Sequence, residues 1–339
     1  MNELQTVRKK SFKEVTGTVV KNSTVLIGGV LVLMVIIASV FSPYFITLFN
    51  LQSLLRDIAF IGMVAVAQSL LLLIGELDLS VGKVATLSGI FAGLLMTTAK
   101  INPFLSLAIG LISGAVFGVI NGLLVTKLRL NSMVTTIGMQ AVYSGITLVI
   151  TKGKAITGIP EQIFFLGKEN IFSIPIPFII ALIVVIAIVI FVRKTKTGRY
   201  IYAIGNSRDA AKIIGIKVDS IRILLFGIVG FVSALAGILC VARLGSAQAA
   251  VGNNWPMNSI ASCVIGGVLL TGGVGSPIGA LIGSSIICII SNVIVLFGVN
   301  IYWQEAVSGF VVVLAIALPS ILSIIREKKK FNKKEIVNP

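Results

Sequence analysis

Two carboxylates stand two residues apart in Ile74-Gly75-Glu76-Leu77-Asp78-Leu79-Ser80-Val81-Gly82, at the edge of an apolar run. A carboxylate at the hydrocarbon centre of a bilayer costs about 2.5–3.5 kcal/mol on insertion scales, so it is retained where it faces water, a partner or a cavity. Gly75 and Gly82 let the backbone bend, and Ser80 suits the cap of the next helix. The residues admit two readings. In one, Glu76, Asp78 and Ser80 sit on a broken helix lining a solute path. In the other they form an ordinary cytoplasmic turn, with Ser80 or Asp78 as a cap. The same pair would suit proton or sodium coupling in a secondary transporter working alone.

A second stretch, Gly198 to Ile216, is polar and basic. Asn206 or Ser207 is a good N-cap, Asp209 suits a first helical turn, and Gly215 is a good stop. Ala210, Ala211, Ile213 and Ile214 give the short helix between them an apolar stripe. Such a stripe outside a bundle calls for a partner or for lipid. A third stretch holds Gln248, Asn253, Asn254 and Trp255. Amides and an indole suit a hydroxyl-rich solute, and Trp also suits a membrane interface.

The absences are informative. The sequence has no histidine, the commonest general base and metal ligand near neutral pH. It has no Gly-x-x-x-x-Gly-Lys-Ser/Thr phosphate loop; Gly82-Lys83-Val84 has no glycine at the needed offset and no hydroxyl. Neither a Gly-x-Ser-x-Gly elbow nor a His-Glu-x-x-His helix is present, which weighs against an intramembrane enzyme. Neither ATP nor a metal is expected to bind this chain.

These residues must be held by a membrane bundle. Of 339 residues, 56% are hydrophobic and 12% charged, with a mean hydropathy of +1.06. Soluble chains carry about 25% charge. Apolar runs near the roughly 20 residues needed to cross a bilayer lie at 24–42, 57–75, 81–99, 103–125, 132–151, 175–193, 221–241, 257–275, 278–297 and 302–322. The expected fold is therefore all-α, a polytopic bundle of about ten transmembrane helices. Its parts would be a basic tail at 1–23, a membrane domain at 24–322 with an inward loop at 194–220, and a second basic tail at 323–339.

The net charge of +16 could suggest nucleic acid, but 21 of the 28 Lys/Arg fall in the two tails, in 193–222 and in the connector holding Lys127 and Arg129. Clusters beside spans hold loops in the cytoplasm and attract anionic lipid. Both termini are expected there, and no nucleic-acid partner is.

Gly110, Gly114, Gly118 and Gly122 recur at four-residue spacing, as do Gly275, Gly279 and Gly283. On a helix each set makes a smooth face that lets backbones approach closely, within the chain or against a second copy. Leu73-Ile74-Gly75 before Leu79-Ser80-Val81-Gly82 weakly parallels Leu270-Thr271-Gly272 before Gly275 to Gly279, with Asn121 and Asn292 following at similar distances. Cys240, Cys263 and Cys288, all in apolar runs, read as small buried side chains.

The chain resembles the permease subunits of carbohydrate-uptake ABC importers, those for ribose, xylose, related sugars and a furanose-type autoinducer. The resemblance covers nearly the whole chain. It is densest in Gly75 to Gly82, Thr197 to Ile216, Ala242-Arg243-Leu244-Gly245-Ser246-Ala247-Gln248 and Ile265 to Gly283. It implies that Ser207, Asp209, Ala210, Ala211 and Gly215 belong to a helix coupling to an ATPase. Asp209 stands where relatives usually have Glu, and Glu76 where they more often have Gly or Ala. Further implications are a bacterial inner-membrane location, two permease copies, two ATPase subunits holding ATP and Mg, and a soluble solute-binding protein. Glu76, Asp78, Ser80, Gln248 and Asn254 would lie along the solute path. A nucleoside is the other solute class such an architecture imports.

Overall fold

A computed structural model describes residues 23–298 and, beyond them, only positions 303, 306, 309, 310 and 313. The tail at 1–22, the tail at 323–339 and nearly all of the expected span 302–322 lie outside the described residues. Twelve helices are numbered here in chain order. They are α1 (Ser23–Phe41), α2 (Leu48–Leu73), α3 (Val81–Thr97), α4 (Pro103–Lys127), α5 (Ser132–Thr151) and α6 (Phe165–Lys168). After a two-stranded hairpin, β1 (Asn170–Ile171) and β2 (Ile174–Pro175), come α7 (Ile176–Lys194), α8 (Lys196–Asn206), α9 (Arg208–Ile213), α10 (Val218–Leu244), α11 (Trp255–Ile265) and α12 (Pro277–Leu296). The chain is an all-α polytopic membrane protein: α2, α4, α5, α7, α10 and α12 are each long and apolar enough to cross a bilayer.

Helix starts follow local chemistry. Asn102 and Asn131 accept from the first free amides of α4 and α5, and Thr47 and Ser276 do so for α2 and α12. Pro103 and Pro277 occupy first helical positions, where a missing N–H costs nothing. Gly245, at φ 69°, ends α10 in the left-handed region that a side chain disfavours.

The apolar window of α2 is 78% buried and that of α5 only 17%, so α2 is the central post and α5 a peripheral helix. Around α2 pack α7, α10, α11 and α12. The exposed positions of α1 (Val32, Leu33, Ile36), α4 (Ile112, Val116, Ile120) and α7 (Ile183, Ile186, Ile190) are apolar. Such surfaces suit hydrocarbon rather than water.

The glycine face of α4 packs within the chain, against α10. Gly110 meets Ile238, Gly114 meets Ala234, Gly118 meets the carbonyl of Phe226, and Gly122 meets Ile223. A side chain at Gly118 would strike backbone. The second set divides. Gly279 and Gly283 press α12 onto Gly266 and Ser262 of the α11 region, whereas Gly275, at φ 137°, lies before the helix in a loop.

Two span boundaries differ from the sequence expectation. Helix α2 starts at Leu48 rather than 57, because Thr47 caps it and its polar first turns are held by protein. The apolar run 257–275 is not one span. Its helix stops at Ile265, and Gly267, Gly272 and Gly273 turn the following loop through positive φ.

Candidate functional site

The break between α2 and α3 lies at the end of the bundle that carries α8 and α9. Gly75, at φ 71°, ends the α2 stem, and the next residues are sealed inside protein, with Glu76, Asp78 and Ser80 at 2%, 1% and 0% exposure. Glu76 Oε1 lies 2.6 Å from an Arg222 guanidinium nitrogen and 2.7 Å from one of Arg208. Asp78 accepts from the Ser80 amide (2.8 Å), the Ser80 hydroxyl (2.7 Å) and Asn121 Nδ2 (3.3 Å). Asn121 also donates to Ser80 Oγ, and its Oδ1 accepts from Tyr143. The backbone amides of Leu77 and Leu79 donate to Ser132 and Thr136 of α5. Ser80 does not cap α3 through its side chain as expected; Asp78 satisfies the Ser80 amide instead. Buried irregular backbone needs this degree of pairing. The arrangement is a joint buried among the described residues, with Arg208 at its half-exposed edge.

The joint is tied to the short helix α9. Ser207 caps α9 by accepting from the Ala210 amide, and Gly215 follows it at φ 83°. Arg208, its first residue, donates to the carbonyls of Ile74 (3.1 Å) and Gly75 (3.4 Å) as well as meeting Glu76. Asp209 and Ala210 face outward, and Ile213 and Ile214 project at 85% and 71% exposure. Ala211 departs from the expected stripe. It is 2% exposed and packs into the main core, because it lies on the inner face of α9.

The two loops read as a weak internal repeat meet here. Gly273 N donates to Leu73 O, and Gly75 lies against Thr271 O. Gly205 of α8 fits between Leu73 and Gly273, where a side chain has no room. The matching asparagines differ: Asn121 joins the Asp78 network, while Asn292 exchanges amide hydrogen bonds with Asn50 at 3.0 and 2.7 Å.

From the far end, residues 246–254 enter the bundle without forming a helix. Ala247 bridges to Ile156 and lies against Gly93 of α3, and Gly252 lies on Gly82. Those two glycines are separated by about 16 Å of helix. The segment therefore descends most of the length of α3, held by Thr86 on the Val251 carbonyl and by Lys83 Nζ, 2.7 Å from Asn253 Oδ1. Gln248 is half-buried and donates to Ser246, while Asn254 is exposed just before α11.

Where this segment becomes α11, a groove of about 350 Å³ opens between α2, α11 and α12. Asp57 and Phe60, Trp255 and Asn258, and Ser291 and Asn292 contribute to its lining from the three helices. Phe60 and Trp255 are nearly parallel, with centroids 6.4 Å apart. Asp57 is paired with Arg243 at 2.7 Å. None of Glu76, Asp78, Ser80, Gln248 or Asn254 lines this groove.

This is a bundle with a projecting apolar helix at one end, tied to an internal joint, and a polar groove elsewhere. A family model described as "branched-chain amino acid transport system / permease component" matches residues 50–316. The chain belongs to this permease family. It is 38% identical to the ribose import permease RbsC of Bacillus subtilis, over 85% of this chain and 90% of that one. It is 35% identical to the autoinducer 2 import permease LsrC of Yersinia enterocolitica, over 78% and 74%. It is 33% identical to the L-arabinose ABC transporter permease AraH of Azospirillum brasilense, over 85% and 86%. No solved structure gives a significant match. The chain is thus a multi-pass inner-membrane permease. Permeases of ABC importers are transporter components that work with ATPase and substrate-binding partners.

Sequence reading missed Arg208 and Arg222 as partners of Glu76, Asn121 as a partner of Asp78 with Tyr143 behind it, and the groove residues Asp57 and Asn258. Lys83 and Asp57 carried a legible signal, a charge within or beside an apolar run. The arginine partners carried none, standing more than a hundred residues from Glu76.

Proposed function

We propose that this chain forms the membrane path of an ABC importer for a monosaccharide, with ATP and Mg bound by separate subunits that dock on α9. The observation that carries the reading is mechanical. The six-residue helix and its C-cap present Ile213 and Ile214 to the outside, and its Arg208 grips the α2–α3 joint. A docked subunit that moved α9 would pull on Ile74, Gly75 and Glu76, and through Glu76 on Arg222 of α10. Coupled motion of α2, α3 and α10 is what alternating access requires. Ser207, Asp209, Ala210 and Gly215 frame the docking face, with Ala211 as its buried foot.

The basic residues of 193–222 and of both tails support a cytoplasmic α8–α9 end and cytoplasmic termini. The far end, with its loops 152–175 and 245–254, then receives a soluble solute-binding protein. A polar groove cannot face hydrocarbon, so the α2–α11–α12 face meets a second permease copy, while α1, α4 and α7 meet lipid. The sugar class rests on the names of the ribose and L-arabinose permeases among the relatives. The autoinducer permeases favour a furanose-type solute as the second reading. Ion coupling through Glu76 is disfavoured, since two guanidiniums already neutralise that carboxylate.

The test is purification of the tagged chain in mild detergent, followed by Ile213→Asp. Wild type is expected to bring down an ATPase stoichiometrically. The variant, changed at an exposed site, should keep its fold and lose the ATPase and uptake. ATPase-free wild type that still transports in vesicles would overturn the reading.

A further inference from the structure

The groove between α2, α11 and α12 has a composition that its place in the bundle does not require. Its hydrogen-bonding lining is mostly neutral: Ser53, Asn258, Ser291 and Asn292. The Asn292 amide is engaged by Asn50. The side chains of Ser53, Asn258 and Ser291 make no hydrogen bond to the described residues, although a serine inside a helix ordinarily bonds back to the preceding turn. Three polar groups from three different helices are thus left facing one opening. The half-buried Trp255 ring also lines it, backed by the nearly parallel and buried Phe60.

The charge pattern narrows the ligand. Asp57 is the one charged side chain among the described residues that line the groove, and it is half-exposed there. Its charge is balanced by Arg243, which lies behind the groove with its guanidinium 5.6 Å from the Phe60 ring. An anionic solute, or the carboxylate of an amino acid, finds no cation in the lining. A neutral ring bearing hydroxyls finds aromatic surface for its C–H face, amide and hydroxyl groups for its edge, and one carboxylate to accept. Pockets for small ligands pair apolar and aromatic walls with a few placed polar groups in just this way, and at a comparable volume.

We propose that this groove is a contact site for a neutral polyol, a sugar ring lying against Trp255, with Phe60 behind that indole, and with its hydroxyls toward Asn258, Ser53, Ser291 and Asp57. The inference rests on the reading of the chain as a sugar-importer permease, and it assigns that reading a place. The contact is weak by design, because a path that holds its solute tightly does not release it. It therefore tunes which sugar passes.

The experiment uses the importer assembled with its ATPase and binding protein in proteoliposomes, with radiolabelled D-ribose, L-arabinose and L-leucine as probes. In Asn258→Leu, and in the doubly substituted Ser53→Ala/Ser291→Ala, the ratio of ribose to arabinose uptake should shift at least fivefold. A merely structural role would lower both sugars together and leave the ratio alone. An unchanged ratio in both variants overturns the inference, even if total uptake falls. If wild type carries leucine and neither sugar, the sugar reading itself fails, and this inference fails with it by a different observation.

Discussion

Replacing Glu76 by glutamine removes one charge and almost no volume from the α2–α3 joint. The carboxylate is 3% exposed and meets two guanidiniums, at 2.6 Å from Arg222 and 2.7 Å from Arg208. Removing one partner of a buried ion pair costs about 3–5 kcal/mol, chiefly because the other charge stays buried. Arg222, at 12% side-chain exposure, bears that cost in full; Arg208, at 40%, recovers part of its solvation. The expected loss is about 3 kcal/mol. For a chain of this size that corresponds to a fall on the order of 4 °C in the midpoint of a fixed-rate melt in detergent. The assay is that melt, run beside uptake by the assembled importer. Glu76→Gln/Arg222→Gln, which removes the stranded guanidinium as well, should recover about half of the loss. A Glu76→Gln melt within 1 °C of wild type, or a double variant whose losses simply add, would refute the account of Glu76 as the counter-charge of this joint.

Gly118→Val should weaken α4–α10 packing by about 1–3 kcal/mol or block folding, because the new side chain meets the Phe226 backbone; yield and melting temperature check it. Tyr143→Phe removes the hydroxyl that donates to Asn121 Oδ1 and the Phe117 carbonyl, so about 1 kcal/mol of stability should go while ATPase docking is unchanged in a pull-down. Ile213→Asp should behave oppositely, holding stability to within about 0.5 kcal/mol of wild type while the ATPase is lost from the pull-down.

Most helices were legible because bilayer length and apolar runs leave few choices. The caps at Asn102, Asn131 and Ser276 were written locally too. Where polar residues interrupt a run, hydropathy stops reporting. The first turns of α2, with Asn50 and Gln52, read as connector although tertiary partners hold them in a helix. The opposite error occurred after Ile265, where an apolar run concealed a loop whose glycines meet Gly75 and Gly205. The motif residues were found, but their work was not. Glu76, Asp78 and Ser80 looked like path-lining groups, and only coordinates reveal the arginines and the asparagine that enclose them. The outward residues of α9 were separable by eye from its surroundings, yet six residues are too few for periodicity to mark Ala211 as the inner one.

The eleven residues of α11 reach about 16 Å, roughly half of a hydrocarbon core. A helix this short has little of its own to hold it in lipid while the chain is being made. The non-helical stretch before it is worse placed still, since its amides and carbonyls need Gly82, Lys83 and Thr86 of α3 close by. Biogenesis is therefore ordered by structure rather than by synthesis alone. The earlier helices α2, α3 and α10 must already stand as a walled cleft when residues 246–265 arrive. Helix α12, pressing Gly279 and Gly283 onto them, then closes the cleft from behind.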